Sequence, residues 1–254
     1  MNRFYRIILF TSFALSTLGC SQQKEAAMPQ TNDVTAVQSE PVKSNHVESA
    51  THGHGHGQHT GDHHHAFANP EELARKWNDP KRDEWQHPGQ IIDALALEPG
   101  ETVADLGAGT GYLVAHLSNA VGKDGTVIAI DAEPAMIEYL ANHKSQLGPA
   151  TVVPQKVGFS DPELSVASVH GVVTLDTWHH VADREAYAQK VFNGLKEGGR
   201  FVVVDYEVDA KVGPPQQMRL SPEQTIKQLE AAGFRAAVAP ETMPRHYIVV
   251  GTKD

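Results

Sequence analysis

From Asn69 onward the pattern of the chain changes to short apolar runs alternating with amphipathic stretches. "ETVADL" (101–106) is apolar and leads into a glycine-rich turn, and "GYLVAHLSNAVG" then places Leu113, Leu117 and Val121 four apart, one helical face closed by Gly122. "GTVIAID" (125–131) reads as the next strand. "EPAMIEYLANHKSQLG" reads as a helix with Pro134 near its start and Gly148 at its end. "ATVVPQKVG" is a third strand, and Pro154 inside it predicts an edge or a bulge. "VHGVVTL" (169–175) is the fourth. "DREAYAQKVFNGLKEGG" predicts a helix carrying Tyr187, Val191 and Leu195 on one stripe, stopped by Gly198 and Gly199. "RFVVVDY" is the fifth strand. "SPEQTIKQLEAAGF" opens a helix with Ser221 as cap and Gln224 in the capping-box position. Strands at about 234–239 and 246–252 follow, joined by a turn short enough to make them antiparallel. These elements predict an α/β fold: a doubly wound, seven-stranded, mostly parallel, Rossmann-like sheet with an antiparallel last strand. Ligands in such sheets bind beyond the carboxyl ends of the strands, at the switch point beside the first strand.

The turn itself reads "ADLGAGTGY" (104–112), three glycines in five positions. Glycine serves where φ is positive or where backbone meets a ligand closely. The spacing is G-x-G-x-G, whereas a dinucleotide turn reads G-x-G-x-x-G. Asp105 stands two positions before the first glycine. A pyrophosphate disfavours that carboxylate; a ligand carrying an ammonium and a sulfonium tolerates it. Asp131 ends the second strand, twenty residues beyond Gly111, where a carboxylate can accept from two ribose hydroxyls. Each has a plainer reading as well: Asp105 as acceptor for loop amides, Asp131 as cap of the next helix.

"VADLGAGTGYL", "VIAID", "TLDTWHHV" and "LKEGGRFVVVDY" resemble the successive motifs of class I S-adenosylmethionine-dependent methyltransferases, and the resemblance covers roughly 85–254. It implies S-adenosyl-L-methionine as cofactor and methyl transfer to a small-molecule acceptor. By position, Asp105, Gly107, Ala108, Gly109, Thr110 and Gly111 would hold the methionine part and Asp131 the ribose. In "VGFSDP", Phe159 would cover the adenine and Asp161 reach its amine, although the family's usual Gly-Asp pair is absent there.

"DTWHH" follows the fourth strand at the mouth of the expected pocket. Asp176, His179 and His180 are candidates for catalysis, since imidazole titrates in the range that suits a general base. The competing reading packs one histidine and turns the other to the pocket. Tyr206, after the fifth strand, could line the same mouth. Trp85, just before the helix that Pro88 starts, could exclude water from the cofactor or act as an aromatic staple on the core.

The segment before the domain changes the picture of where this chemistry happens. Arg3, Arg6 and "IILFTSFALSTL" resemble a bacterial lipoprotein signal ending in "TLGC", with cleavage and acylation at Cys20. Thr17 stands where leucine is usual. This predicts a leader (1–20) and a lipid-anchored protein of the cell envelope, facing the periplasm. Ser21 after the cysteine points toward the outer membrane. Residues 21–69 are polar and predict a disordered tether. Inside it, His52, His54, His56, His59, His63, His64 and His65 could bind Zn, Cu or Ni, with glycines letting the chain wrap the metal. An envelope-tethered binding protein with that metal function is the alternative to an enzyme. Residues 70–254 form the methyltransferase-like domain. The formal charge of −10 and the absence of a basic cluster speak against a nucleic-acid surface. The single cysteine excludes an internal disulfide and a cysteine zinc site.

Overall fold

The computed structural model describes residues 69–254. Seven strands form one sheet in the order β3-β2-β1-β4-β5-β7-β6. They are β1 (Thr102–Leu106), β2 (Thr126–Asp131), β3 (Thr151–Lys156), β4 (Val169–Leu175), β5 (Leu195–Tyr206), β6 (Arg235–Val238) and β7 (His246–Thr252). The helices are α1 (Pro70–Trp77), α2 (Asp83–Gln86), α3 (Pro88–Leu95), α4 (Tyr112–Val121), α5 (Pro134–His143), α6 (Arg184–Gly194) and α7 (Pro222–Ala231).

Strands β3, β2, β1, β4 and β5 are parallel neighbours, and β7 runs antiparallel to both β5 and β6. The predicted architecture is therefore the observed one. β4 is buried along nearly its whole length, which is why "VHGVVTL" reads as a continuous apolar run rather than an alternation. Pro154 sits in β3, an edge strand that pairs only with β2, so its missing N–H leaves no ladder bond unmade.

Each face of the sheet has its own core. Ile91 and Leu95 of α3, Leu113, Leu117 and Val121 of α4, and Leu140 of α5 pack on one face. Tyr187 and Val191 of α6, Leu229 of α7 and Trp178 pack on the other. α7 carries the expected reciprocal cap between Ser221 and Gln224.

One element differs from the sequence pattern. α6 stops at Gly194, and Leu195 belongs to β5 instead of the helical stripe. The chain's end accounts for this. The amide of Gly198 donates to the Lys253 carbonyl, the Lys253 amide donates to Gly199, and Lys253 Nζ donates to the Leu195 carbonyl. Backbone pairing thus claims residues that the helical spacing alone would extend.

The order of strands gathers the carboxyl ends of β1, β2, β4 and β5 on one edge, with the start of antiparallel β7 beside them. β1 lies between β2 and β4, where the connections diverge to opposite faces; this is the switch point of the sheet.

Candidate functional site

The turn after β1 is built on backbone that favours glycine. Gly107, Gly109 and Gly111 have φ of 78°, 53° and 88°. The Gly107 and Ala108 amides both donate to the Ile130 carbonyl at 2.9 Å. A Cβ at Gly107 would collide with the Thr177 side chain, so the turn presses against the segment that leaves β4.

Asp131 locks the turn from the end of β2. Its Oδ2 accepts the Gly109 amide at 2.8 Å and its Oδ1 accepts the Glu133 amide at 2.9 Å. It joins the turn to the start of the α5 segment, whose own cap residue, Glu133, makes no side-chain cap bond. Burial pushes the Asp131 carboxyl above its ordinary range, against the lowering effect of these amides.

Asp105 is 2% exposed, and no described residue donates a hydrogen bond to its carboxylate. The loop amides it was expected to compete for go to Ile130 and Asp131 instead. Burial first, and the Asp131 charge second, raise its pKa to about 7, while Arg82 pulls it down.

The aromatic ring over the turn is that of Trp77, not Trp85. A Cβ on Gly109 would meet the Trp77 ring at 3.4 Å. Asn78 fixes this placement: its Nδ2 donates to the Thr110 carbonyl at 2.9 Å and its Oδ1 accepts from Thr110 Oγ1 at 2.7 Å. Trp85 lies further along, with the Arg245 guanidinium 3.7 Å from its ring centre and the His246 ring stacked at 6.0 Å.

Beyond β4 the expected candidates separate. Asp176 adopts φ 57°, a left-handed conformation that aspartate tolerates better than most residues. Its Oδ2 lies 3.2 Å from Arg82 Nη2 and its Oδ1 lies 2.8 Å from His246 Nε2. His179 is buried and tied to Asp205, Nδ1 to Oδ1 at 2.8 Å, while its amide donates to Asp205 Oδ2. A carboxylate only accepts, so His179 Nδ1 carries the hydrogen. His180 is exposed, its ring centre 4.2 Å from that of His179. Tyr206 packs on His246 with ring centres 4.3 Å apart, and burial raises its hydroxyl to about 12.

The adenine candidates are also placed by their partners. Phe159 is 69% exposed. Asp161 is committed to Lys190 Nζ at 2.9 Å and to the Glu163 amide at 2.8 Å, which lower its pKa. The run from His52 to His65 and Cys20 lie outside the described residues. Among the described residues, no group of three or more His, Cys, Asp or Glu could hold a metal ion.

A family model described as "Methyltransferase domain" matches residues 97–239. The chain belongs to this methyltransferase family. A crystal structure titled as a SAM-dependent methyltransferase from Aquifex aeolicus shares 26% identity with this domain at a TM-score of 0.66, covering 73% of this chain and all but 1% of its own. A ubiquinone/menaquinone biosynthesis C-methyltransferase of Vibrio vulnificus is 28% identical over 121 residues, 45% of each chain. An arsenite methyltransferase of Halobacterium salinarum is 26% identical over 167 residues, 60% of this chain and 42% of its own. The chain spans less than half the length of these two curated relatives.

Outside the matched span 97–239, Trp77 and Asn78 contact the glycine turn and His246 bonds Asp176, and the sequence motifs mark none of the three. The glycine turn yields a direct expectation. Gly107→Ala combines a left-handed alanine, about 1–2 kcal/mol, with overpacking against Thr177, about 1–3 kcal/mol. Urea unfolding should show a loss of roughly 2–5 kcal/mol, larger than for Gly100→Ala, where φ is positive but nothing lies within 4 Å.

Proposed function

We propose that this domain transfers the methyl group of S-adenosylmethionine to a small-molecule acceptor. The observation that carries the reading is the Asp105 carboxylate, buried beside the glycine turn, without a donor among the described residues, and held near neutrality. A pyrophosphate would add negative charge to the Asp105–Asp131 pair; an ammonium and a sulfonium would relieve it. The donor set therefore fits this cofactor and not a dinucleotide. In this reading the backbone of Gly107, Ala108, Gly109, Thr110 and Gly111 cradles the methionine portion, Asp105 balances its charge, and Asp131 takes the ribose hydroxyls. When bound, the cofactor supplies an electrophilic methyl carbon on sulfur. The chain's residues then need only align the acceptor, exclude water and take up any proton released.

We also infer, from the leader alone, that Cys20 is acylated and that the domain is held at an envelope membrane. Metabolic labelling with radioactive palmitate should mark the wild-type chain in the membrane fraction and leave Cys20→Ala unlabelled; equal labelling of both would refute the anchor.

The cofactor assignment has a pH signature. A cationic ligand favours ionised Asp105, and the carboxyl ionises as pH rises through about 7. Affinity for S-adenosylhomocysteine, which keeps the ammonium, should therefore rise roughly 10–30-fold from pH 5.5 to 8, measured by calorimetry. Asp105→Asn should flatten that dependence and Gly109→Arg should abolish binding. NAD binding in place of S-adenosylhomocysteine would overturn the reading.

A further inference from the structure

We propose that Nδ1 of His246 is the proton acceptor of the reaction, so that the substrate is a protic nucleophile, a hydroxyl or an amine, that gives up its proton as it is methylated. This rests on the methyl-transfer reading above.

His246 opens β7 and stands opposite Tyr206 of β5 in the register. It is fully buried. Its Nε2 lies 2.8 Å from Asp176 Oδ1, and a carboxylate can only accept. Nε2 of the neutral ring therefore carries the hydrogen, and Nδ1 is left with a bare lone pair. That Nδ1 is shut off from solvent and has no hydrogen-bond partner among the described residues. Buried side-chain polar atoms are generally hydrogen-bonded, so a sheltered nitrogen left bare calls for an explanation.

The surroundings suit proton uptake. Asp176 is anchored by Arg82 at 3.2 Å and can hold the imidazolium that forms. Arg245 and Glu207 are the other charges near the ring, and the Tyr206 and Trp85 rings pack against it. The site also lies beside the cofactor turn. Asp176 directly precedes Thr177, whose side chain presses on Gly107. Trp85 stacks on a face of the His246 ring, and because the ring is fully buried the chain around it must open for a substrate to reach Nδ1 in the ring plane.

A lone pair on the substrate oxygen or nitrogen forms the bond to the methyl carbon, and the carbon–sulfur bond breaks with its pair going to sulfur. The substrate's proton passes to His246 Nδ1. The imidazolium, paired with Asp176, returns the proton to water after the methylated product leaves.

The test has two readouts. Long-range proton–nitrogen NMR of the histidine-labelled chain saturated with S-adenosylhomocysteine should show His246 protonated at Nε2 and bare at Nδ1. Release of S-adenosylhomocysteine is then followed with a panel of phenols, hydroxy acids and aromatic amines, set against thiols and arsenite. Turnover should be confined to the protic oxygen and nitrogen compounds. His246→Gln should lower kcat by about 100-fold or more, with S-adenosylhomocysteine affinity within threefold and activity partly restored by added imidazole. Asp176→Asn, which preserves the side chain's shape, should lower kcat about tenfold and serves if His246→Gln does not fold. A protonated Nδ1 would overturn the proposal. So would turnover of thiols or arsenite that His246→Gln retains, or an enzyme that binds S-adenosylhomocysteine yet methylates no protic member of the panel. Failure of the wild-type chain to bind S-adenosylhomocysteine at all would instead sink the cofactor reading, and this proposal with it.

Discussion

The bond from the Gly109 amide to Asp131 organises the site. It joins the end of β2 to the turn between β1 and α4, and holds a turn whose three glycines all have positive φ. Ile130 and Asp131 take the amides of Gly107, Ala108 and Gly109, so those three are not given to Asp105. The result is a pair of carboxylates at the switch point, one bonded and one not, each raised above its ordinary pKa. An empty-handed buried carboxylate disfavours the folded state as pH rises toward 7, because the native chain then binds its proton more tightly than the unfolded chain does. A cation brought by a ligand removes that penalty, so the charge defect and the ligand's chemistry explain each other.

The sheet order extends this site sideways. β4, β5 and β7 bring Asp176, Tyr206 and His246 to the same edge from three distant parts of the chain. Arg82 spans the two halves: it bonds Asp176 and the Trp77 carbonyl, and its charge acts on Asp105. The stretch from Trp77 to Trp85 thus covers both the glycine turn and the His246 ring.

Much of this was legible in the residues. Buried parallel strands leave apolar runs, and glycines at left-handed positions leave a spacing, so the sheet, the turn, Asp105 and Asp131 can be read from local pattern. Leu195 was misleading because its fate depends on pairing with the chain's end at Lys253, almost sixty positions away. His246 carries no local signal at all; only the antiparallel register of β7 against β5 brings it to Tyr206 and Asp176. Trp77 and Trp85 are both aromatic residues ahead of β1, and what separates them is a bond pair between Asn78 and Thr110 that spacing does not encode. Asp161 follows the third strand as expected, but Lys190, on the distant helix α6, claims its carboxylate.

The backbone amides of Gly107, Gly109 and Gly111 are the most direct witnesses of what the turn holds. Their proton–nitrogen resonances should shift and saturate on titration with S-adenosylhomocysteine and stay in place with NAD. Resonances that follow NAD and ignore S-adenosylhomocysteine would contradict the account.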